Sequence, residues 1–191
     1  MERTRETTLR ELRWHIAEIL RLLHLDPTRD PELRDTPERV AEWYVDFFGG
    51  ADREEEPEIV PLAREGGEGE MIVVADVPFY SVCAHHLLPF FGKAHVGYVP
   101  DRALLGLGSV GRLLEHYARR PQLQERLTEQ VADALVRTAH PRGAIVLLQA
   151  RQLCMEMRGA RKPGWVTTSA ARGCFQEPSW REEFFRRLRT R

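Results

Sequence analysis

A thiol and an imidazole stand three residues apart at Cys83 and His86, inside the run Cys83-Ala84-His85-His86. Thiolate sulfur and neutral imidazole are donors that suit zinc, and C-x-x-H spacing offers two corners of a tetrahedral site. His85 is then left for proton transfer, because imidazole titrates near neutrality. Adjacent histidines also occur as ordinary polar groups of strands and loops, so the half-site needs a third soft donor. Two cysteines remain, Cys154 and Cys174. Cys154 lies in Gln152-Leu153-Cys154-Met155-Glu156-Met157-Arg158-Gly159, next to an arginine suited to an anionic ligand, and is the expected partner. Two thiolates and one imidazole leave a fourth position open to water, which distinguishes a catalytic zinc from a closed structural one.

These residues need a scaffold, and the pattern around them supplies one. Residues 71–79 and 93–99 are rich in β-branched and aromatic side chains and predict strands flanking the first half-site. Residues 144–150 predict a strand leading into the second half-site, and 165–170 predict a fourth. Leu9, Leu12, Ile16, Ile19, Leu20 and Leu23 recur at helical spacing and predict an amphipathic helix ending near His24. Asp35-Thr36-Pro37 opens a second helix with Val40, Trp43, Tyr44 and Phe47 on its apolar face, stopped by Gly49-Gly50. Residues 51–69 are acidic and contain glycine and proline, and read as an exposed connection. A third helix runs through Leu113, Leu114 and Tyr117. A fourth starts at Pro121 and carries Leu123, Leu127, Val131, Leu135 and Val136. Ser179 and Glu182 have capping-box spacing and open a basic C-terminal helix with Phe184, Phe185 and Leu188.

The order predicts an α+β fold: a helical extension over 1–50, the connection 51–69, and a catalytic domain over 70–191 whose antiparallel sheet carries helices on one side. Four strands leave two open edges, which closure into a barrel of several subunits would remove. The formal net charge of −1 over 191 residues argues against broad binding to nucleic acid or membrane surfaces. Three cysteines make a poor disulfide framework and fit a reducing compartment. No stretch approaches a membrane span, and the charged start Met1-Glu2-Arg3 does not read as a secretory signal, so the cytoplasm is expected.

Five segments, in order, make the chain from about Asp35 to Leu188 resemble the GTP cyclohydrolase I family. They are Asp35-Thr36-Pro37-Glu38-Arg39-Val40-Ala41, Cys83 to Phe90, Arg119 to Thr128, Cys154 to Gly159, and Thr167-Thr168-Ser169-Ala170. The resemblance implies a zinc enzyme that opens the guanine ring of GTP and recloses it as 7,8-dihydroneopterin triphosphate with release of formate, the first step towards tetrahydrofolate and pterins. It also implies a tunnelling fold, a homodecamer of two stacked pentamers, and active sites at subunit boundaries. Carried over by position, Cys83, His86 and Cys154 match the zinc ligands, and His85 matches a proton-transfer histidine. Glu125, with Gln124 beside it, matches the reader of the guanine edge, where a carboxylate accepts from N1–H and the exocyclic amine. Arg39, Arg112 and Arg158 match arginines around the triphosphate, with forked donors suited to phosphate oxygens. Arg39 and Arg112 also fit solvated helix faces, and Glu125 also fits an ion pair with Arg126 or Arg119.

The chain departs from the family inside this site. Gly108-Ser109 replaces a Ser-Lys pair, so Ser109 stands where a lysine is expected near the triphosphate. Ala84 replaces a glutamate, and Gln149 replaces an acidic residue. Gln152 replaces a catalytic histidine, and an amide hydrogen-bonds but does not shuttle protons, a loss of ~10²–10⁴ in rate. Three readings follow: a GTP cyclohydrolase I with an altered site; a relative that only hydrates and opens the purine at C8 or takes another purine nucleotide; and a non-catalytic purine- or pterin-binding oligomer. The open Cys₂His set counts against the third.

Overall fold

The computed structural model describes residues 4–49, 56, 57, 59, 61–63 and 69–190. The chain forms two compact units, Met1–Arg53 and Glu54–Arg191. The first holds two helices, α1 (Arg5–Leu22) and α2 (Thr36–Phe48). Thr4 caps α1 by accepting from the Thr7 amide, satisfying one orphan N–H of the first turn. Leu9, Ile16 and Leu20 are buried, whereas Ile19 and Leu23, expected on the same face, are exposed. Of the predicted α2 face, Trp43 lies partly in solvent among the rings of Tyr44 and Phe47, and Ala41 is the buried residue. A pair of helices has a single inner seam, narrower than the hydrophobic stripe. Arg5 pairs with Asp46 at 2.8 Å and Arg13 with Glu38 along it.

The second unit is built on a five-stranded sheet in the order β5-β2-β3-β6-β7. Its strands are β2 (Ile72–Cys83), β3 (Pro89–Val99), β5 (Pro121–Gln122), β6 (Gly143–Gln152) and β7 (Trp165–Gly173). All pairings are antiparallel except the short parallel one of β2 with β5. Helices α3 (Leu107–Ala118) and α4 (Gln124–Ala139) cover one face, where Leu113, Leu114, Leu127, Val131 and Leu135 pack on Val96, Val146 and Leu148. Strand alternation sends Ile145 and Leu147 to the other face. There α6 (Pro178–Arg189) covers them with Phe184. The chain is therefore mixed α+β, with α3 and α4 on one side and the C-terminal helix on the other.

Three local readings are corrected. Pro61–Ala63 (β1), inside the expected connection, pairs antiparallel with Ala103–Leu105 (β4); most of 51–69 lies outside the described residues. Pro121 belongs to β5 rather than to a helix start, and α4 begins at Gln124. Ser179 does not cap α6: the N-cap is Glu177, and Pro178 occupies the first turn, where its fixed φ already suits a helix.

Candidate metal centre

Cys83 is the last residue of β2, and the chain turns back immediately. The Cys83 amide donates to the Leu88 carbonyl at 2.9 Å, and the amides of His86 and Leu87 donate to the Cys83 carbonyl at 3.3 and 2.9 Å. Leu87 takes a positive φ of 52°, which closes the turn into β3. This compact turn brings residue 86 back beside residue 83, so Cys83 Sγ lies 3.9 Å from His86 Nδ1. The second half-site arrives through sheet register. Val82 faces Pro89 and Phe90 faces Gln152, so the end of β6 lies one strand away from the end of β2. There β6 stops and a single helical turn, α5 (Leu153–Glu156), carries Cys154. Arg151 clamps that turn by hydrogen-bonding Glu156, with Nε to Oε1 at 3.0 Å, and this contact holds the Glu156 carboxyl below its ordinary range.

Cys83, His86 and Cys154 thus converge, their ligand atoms all within 4.8 Å of one another. Among the described residues this is the one such group. Zn–S near 2.3 Å and Zn–N near 2.0 Å at tetrahedral angles place ligand atoms about 3.5–3.8 Å apart, so small side-chain rotations suffice to close on an ion. Burial, followed by the adjacent Cys83 thiol, pushes the Cys154 thiol above its ordinary value. Two thiol sulfurs and an imidazole nitrogen are the donors that zinc prefers, so the donor chemistry fits a bound metal. Cys174 lies elsewhere, packed with Phe175 and Phe184 under α6.

The remaining expected residues divide by position. His85 is exposed on the turn, its ring edge-on to His86 at 6.1 Å. Arg158 is exposed just beyond α5 and hydrogen-bonds His86 Nε2. Glu125 is exposed in the first turn of α4. The alternative ion pairs are not made: Arg126 is spent on Gln122 Oε1 and the Pro121 carbonyl, and Arg119 on Glu115. Arg112 is exposed and donates to Ser109 Oγ at 3.3 Å, while Ser109 is only 1% exposed. The Ser109 hydroxyl is therefore directed to Arg112 rather than outward. Arg39 belongs to the N-terminal unit, where it pairs with Asp35 at 3.2 Å. Gln149 lies on the face of β6 opposite Gln152, because residues an odd number apart on a strand face opposite ways.

Sequence reasoning missed how Gln124 and Gln152 are joined. Gln124 is buried, and the two N–H donors of its Nε2 are shared among the carbonyls of Leu148 at 3.2 Å and Val166 at 2.9 Å and Thr168 Oγ1 at 3.2 Å. Gln152 Nε2 donates to Gln124 Oε1 at 2.7 Å, and Gln152 Oε1 lies 4.0 Å from Cys154 Sγ. The presence of a Gln in both segments was the available signal, but only strand register reveals that they meet.

An α+β sheet that brings two cysteines and a histidine from the ends of β2 and β6, on either side of β3, to one point is the framework of a metal-site protein. The GTP cyclohydrolase I profile matches residues 12–189, and the chain belongs to that family. It is 50% identical over 165 residues to the GTP cyclohydrolase 1 of Thermobifida fusca, covering 85% of this chain and 79% of that one. Identity is 49% over 162 residues to the protein of the same name from Halalkalibacterium halodurans, with 84% and 85% covered. It is 48% over 159 residues to that from Carboxydothermus hydrogenoformans, with 82% of each covered. No helix among the described residues is long and apolar enough to cross a membrane.

Proposed function

We propose that this chain converts GTP to 7,8-dihydroneopterin triphosphate and formate, using zinc held by Cys83, His86 and Cys154. The observation that supports the reading most strongly is the convergence of these three donors, with one tetrahedral position left over, in a member of this family. Zinc bound there supplies Lewis acidity and lowers the pKa of water. The reaction proceeds by addition of water at guanine C8, opening of the imidazole ring to a formamide, hydrolysis to formate, and rearrangement of the sugar with ring closure.

The roles of the chain's own residues follow from their surroundings. His85, exposed on the turn beside the ligand His86, takes the proton of the attacking water and returns it to the departing ring nitrogen. Glu125, with its carboxylate free of ion pairs among the described residues, accepts from guanine N1–H and the exocyclic amine. Arg158 and Arg112 present exposed guanidiniums to the triphosphate, with Ser109 steadying Arg112. Gln152 orients and does not transfer protons. We assign the chain to the cytoplasm and, as the family resemblance implies, to a homo-oligomer. Tyr80 and Phe91, paired across β2 and β3 with rings 6.0 Å apart and Tyr80 66% exposed, suit burial against another subunit.

A second reading, in which the reaction stops at the opened formamide, is favoured by one observation. The Gln152 amide nitrogen is committed to Gln124, so a second proton-transfer group is lacking where the later hydrolysis needs one. Incubating zinc-loaded protein with GTP and quantifying formate, formamidopyrimidine and fluorescent pterin separates the readings. Pterin with stoichiometric formate supports the first, accumulated formamidopyrimidine the second, and unchanged GTP overturns both.

A further inference from the structure

The orientation of Gln152 is decided one shell further out, by Gln124. An amide side chain can be turned either way, and hydrogen-bond logic fixes which. Around Gln124 the Leu148 and Val166 carbonyls can only accept, so the Gln124 nitrogen must face them. The threonines agree: Thr128 gives its proton to the Gln124 main-chain carbonyl, one turn back on α4, at 2.6 Å. Thr168, 2.6 Å from Thr128, must therefore donate to Thr128, leaving its own oxygen to accept from Gln124. Every donor of Gln124 is used inward, and the group it shows Gln152 is an oxygen. Gln152 must meet that oxygen with its NH₂, and its own carbonyl oxygen is turned to the Cys154 side.

We propose that Gln124 is a positioning residue that fixes Gln152 as a hydrogen-bond acceptor beside the metal pocket, where its oxygen receives an O–H of water entering the open position. Position 152 then has one chemical sense: it accepts and never donates towards the metal ligands. Gln124, buried at 3% exposure and engaged on both ends of its amide, acts through Gln152 rather than on a substrate. The inference rests on the proposed metal site, but it predicts a property that needs no turnover.

The test is a cobalt(II) titration, with cobalt standing in for zinc, read by thiolate-to-cobalt and ligand-field absorption. The proteins are the full-length parent, Gln152→Met, Gln124→Met, the double variant and Gln152→Asn. Residues that orient a metal site from outside typically change affinity about 10–100-fold. Each single Met variant is expected to weaken cobalt binding at least about tenfold and to shift the ligand-field bands alike. The double variant should be no weaker than the worse single, because the two amides act as one unit. Parent-like affinity and spectrum in Gln124→Met, or a double variant whose loss is the product of the two singles, overturns the inference. Should Gln124→Met not fold, Gln152→Asn decides: it leaves Gln124 intact but is too short to span to it, so it is expected to match Gln152→Met, and parent-like binding overturns the inference. A protein that couples the two amides in the cobalt spectrum yet releases no formate upholds this inference and refutes the catalytic reading alone.

Discussion

Replacing Gln152 by histidine returns a titratable group to a prepared cradle. Gln124 Oε1 waits 2.7 Å from the present amide nitrogen and accepts from an imidazole N–H in the same way. One ring nitrogen is thereby held, and the other is left to face Cys154 and the pocket as a base. General acid–base participation contributes ~10²–10⁴ in rate, equivalent to about 2.7–5.5 kcal/mol of barrier. The lower end applies to Gln152→His alone, because His85 already supplies one imidazole and Gly108-Ser109 stands where the resemblance implies a lysine for the triphosphate. Changing Gly108-Ser109 to Ser-Lys in the same protein should recover more. The assay is single-turnover formate release with zinc-loaded enzyme in excess over GTP, comparing parent, Gln152→His and the combined variant. A folded, zinc-replete Gln152→His no faster than the parent would refute the assignment of position 152 as the missing proton-transfer site.

Four further outcomes are expected. Cys83→Ser, His86→Ala and Cys154→Ser should each lose bound zinc while Cys174→Ser keeps one equivalent, measured by metal analysis after dialysis; retention in Cys154→Ser with loss in Cys174→Ser would reverse the ligand assignment. Glu125→Gln places a donor against the guanine donors and should weaken guanine nucleotide binding by about 1.5–3 kcal/mol with no change in fold, by calorimetry. Burial, then the hydrogen bond to Glu56, raises the Tyr117 phenol from 10.0 to about 12. A raised folded-state pKa contributes stability that is complete below about pH 10 and lost as pH rises through about 12. The stability difference between parent and Tyr117→Phe in urea should therefore be constant up to pH 10 and shrink above it. A β-carbon on Gly92 would lie 1.9 Å from the Gln149 carbonyl oxygen, so Gly92→Ala should separate β3 from β6 and lower the urea midpoint, at a cost of about 1–3 kcal/mol or more.

The parts of this protein that were legible in its sequence are those written in short-range spacing. Cys83 and His86 are brought together by one turn, so their relationship is visible in four residues. Leu113, Leu114 and Tyr117, and Leu127, Val131 and Leu135, announce α3 and α4 because a helix repeats every few residues, and all six are buried. Cys154 was found through its own segment, although its geometry was not: β6 ends at Gln152, and Cys154 sits on a one-turn helix whose hold comes from Arg151 and Glu156. Strand alternation alone would have placed residues 152 and 154 on one face, whereas here proximity arises from the turn. The two-residue strand at Pro121–Gln122 and the meeting of Gln124 with Gln152 were illegible because each depends on neighbours far away along the chain. The exposed Ile19 and Leu23 show the reverse limit: a pattern marks an apolar stripe but not what lies against it.

The most direct test of the account is release of labelled formate from GTP carrying ¹⁴C at C8, with the parent and Cys154→Ser each assayed after zinc loading and after chelation. The account predicts labelled formate from the zinc-loaded parent, none after chelation, recovery on returning zinc, and none from Cys154→Ser under any condition. Equal formate from the chelated parent or from Cys154→Ser would contradict it, as would a zinc-loaded parent that leaves every label in GTP.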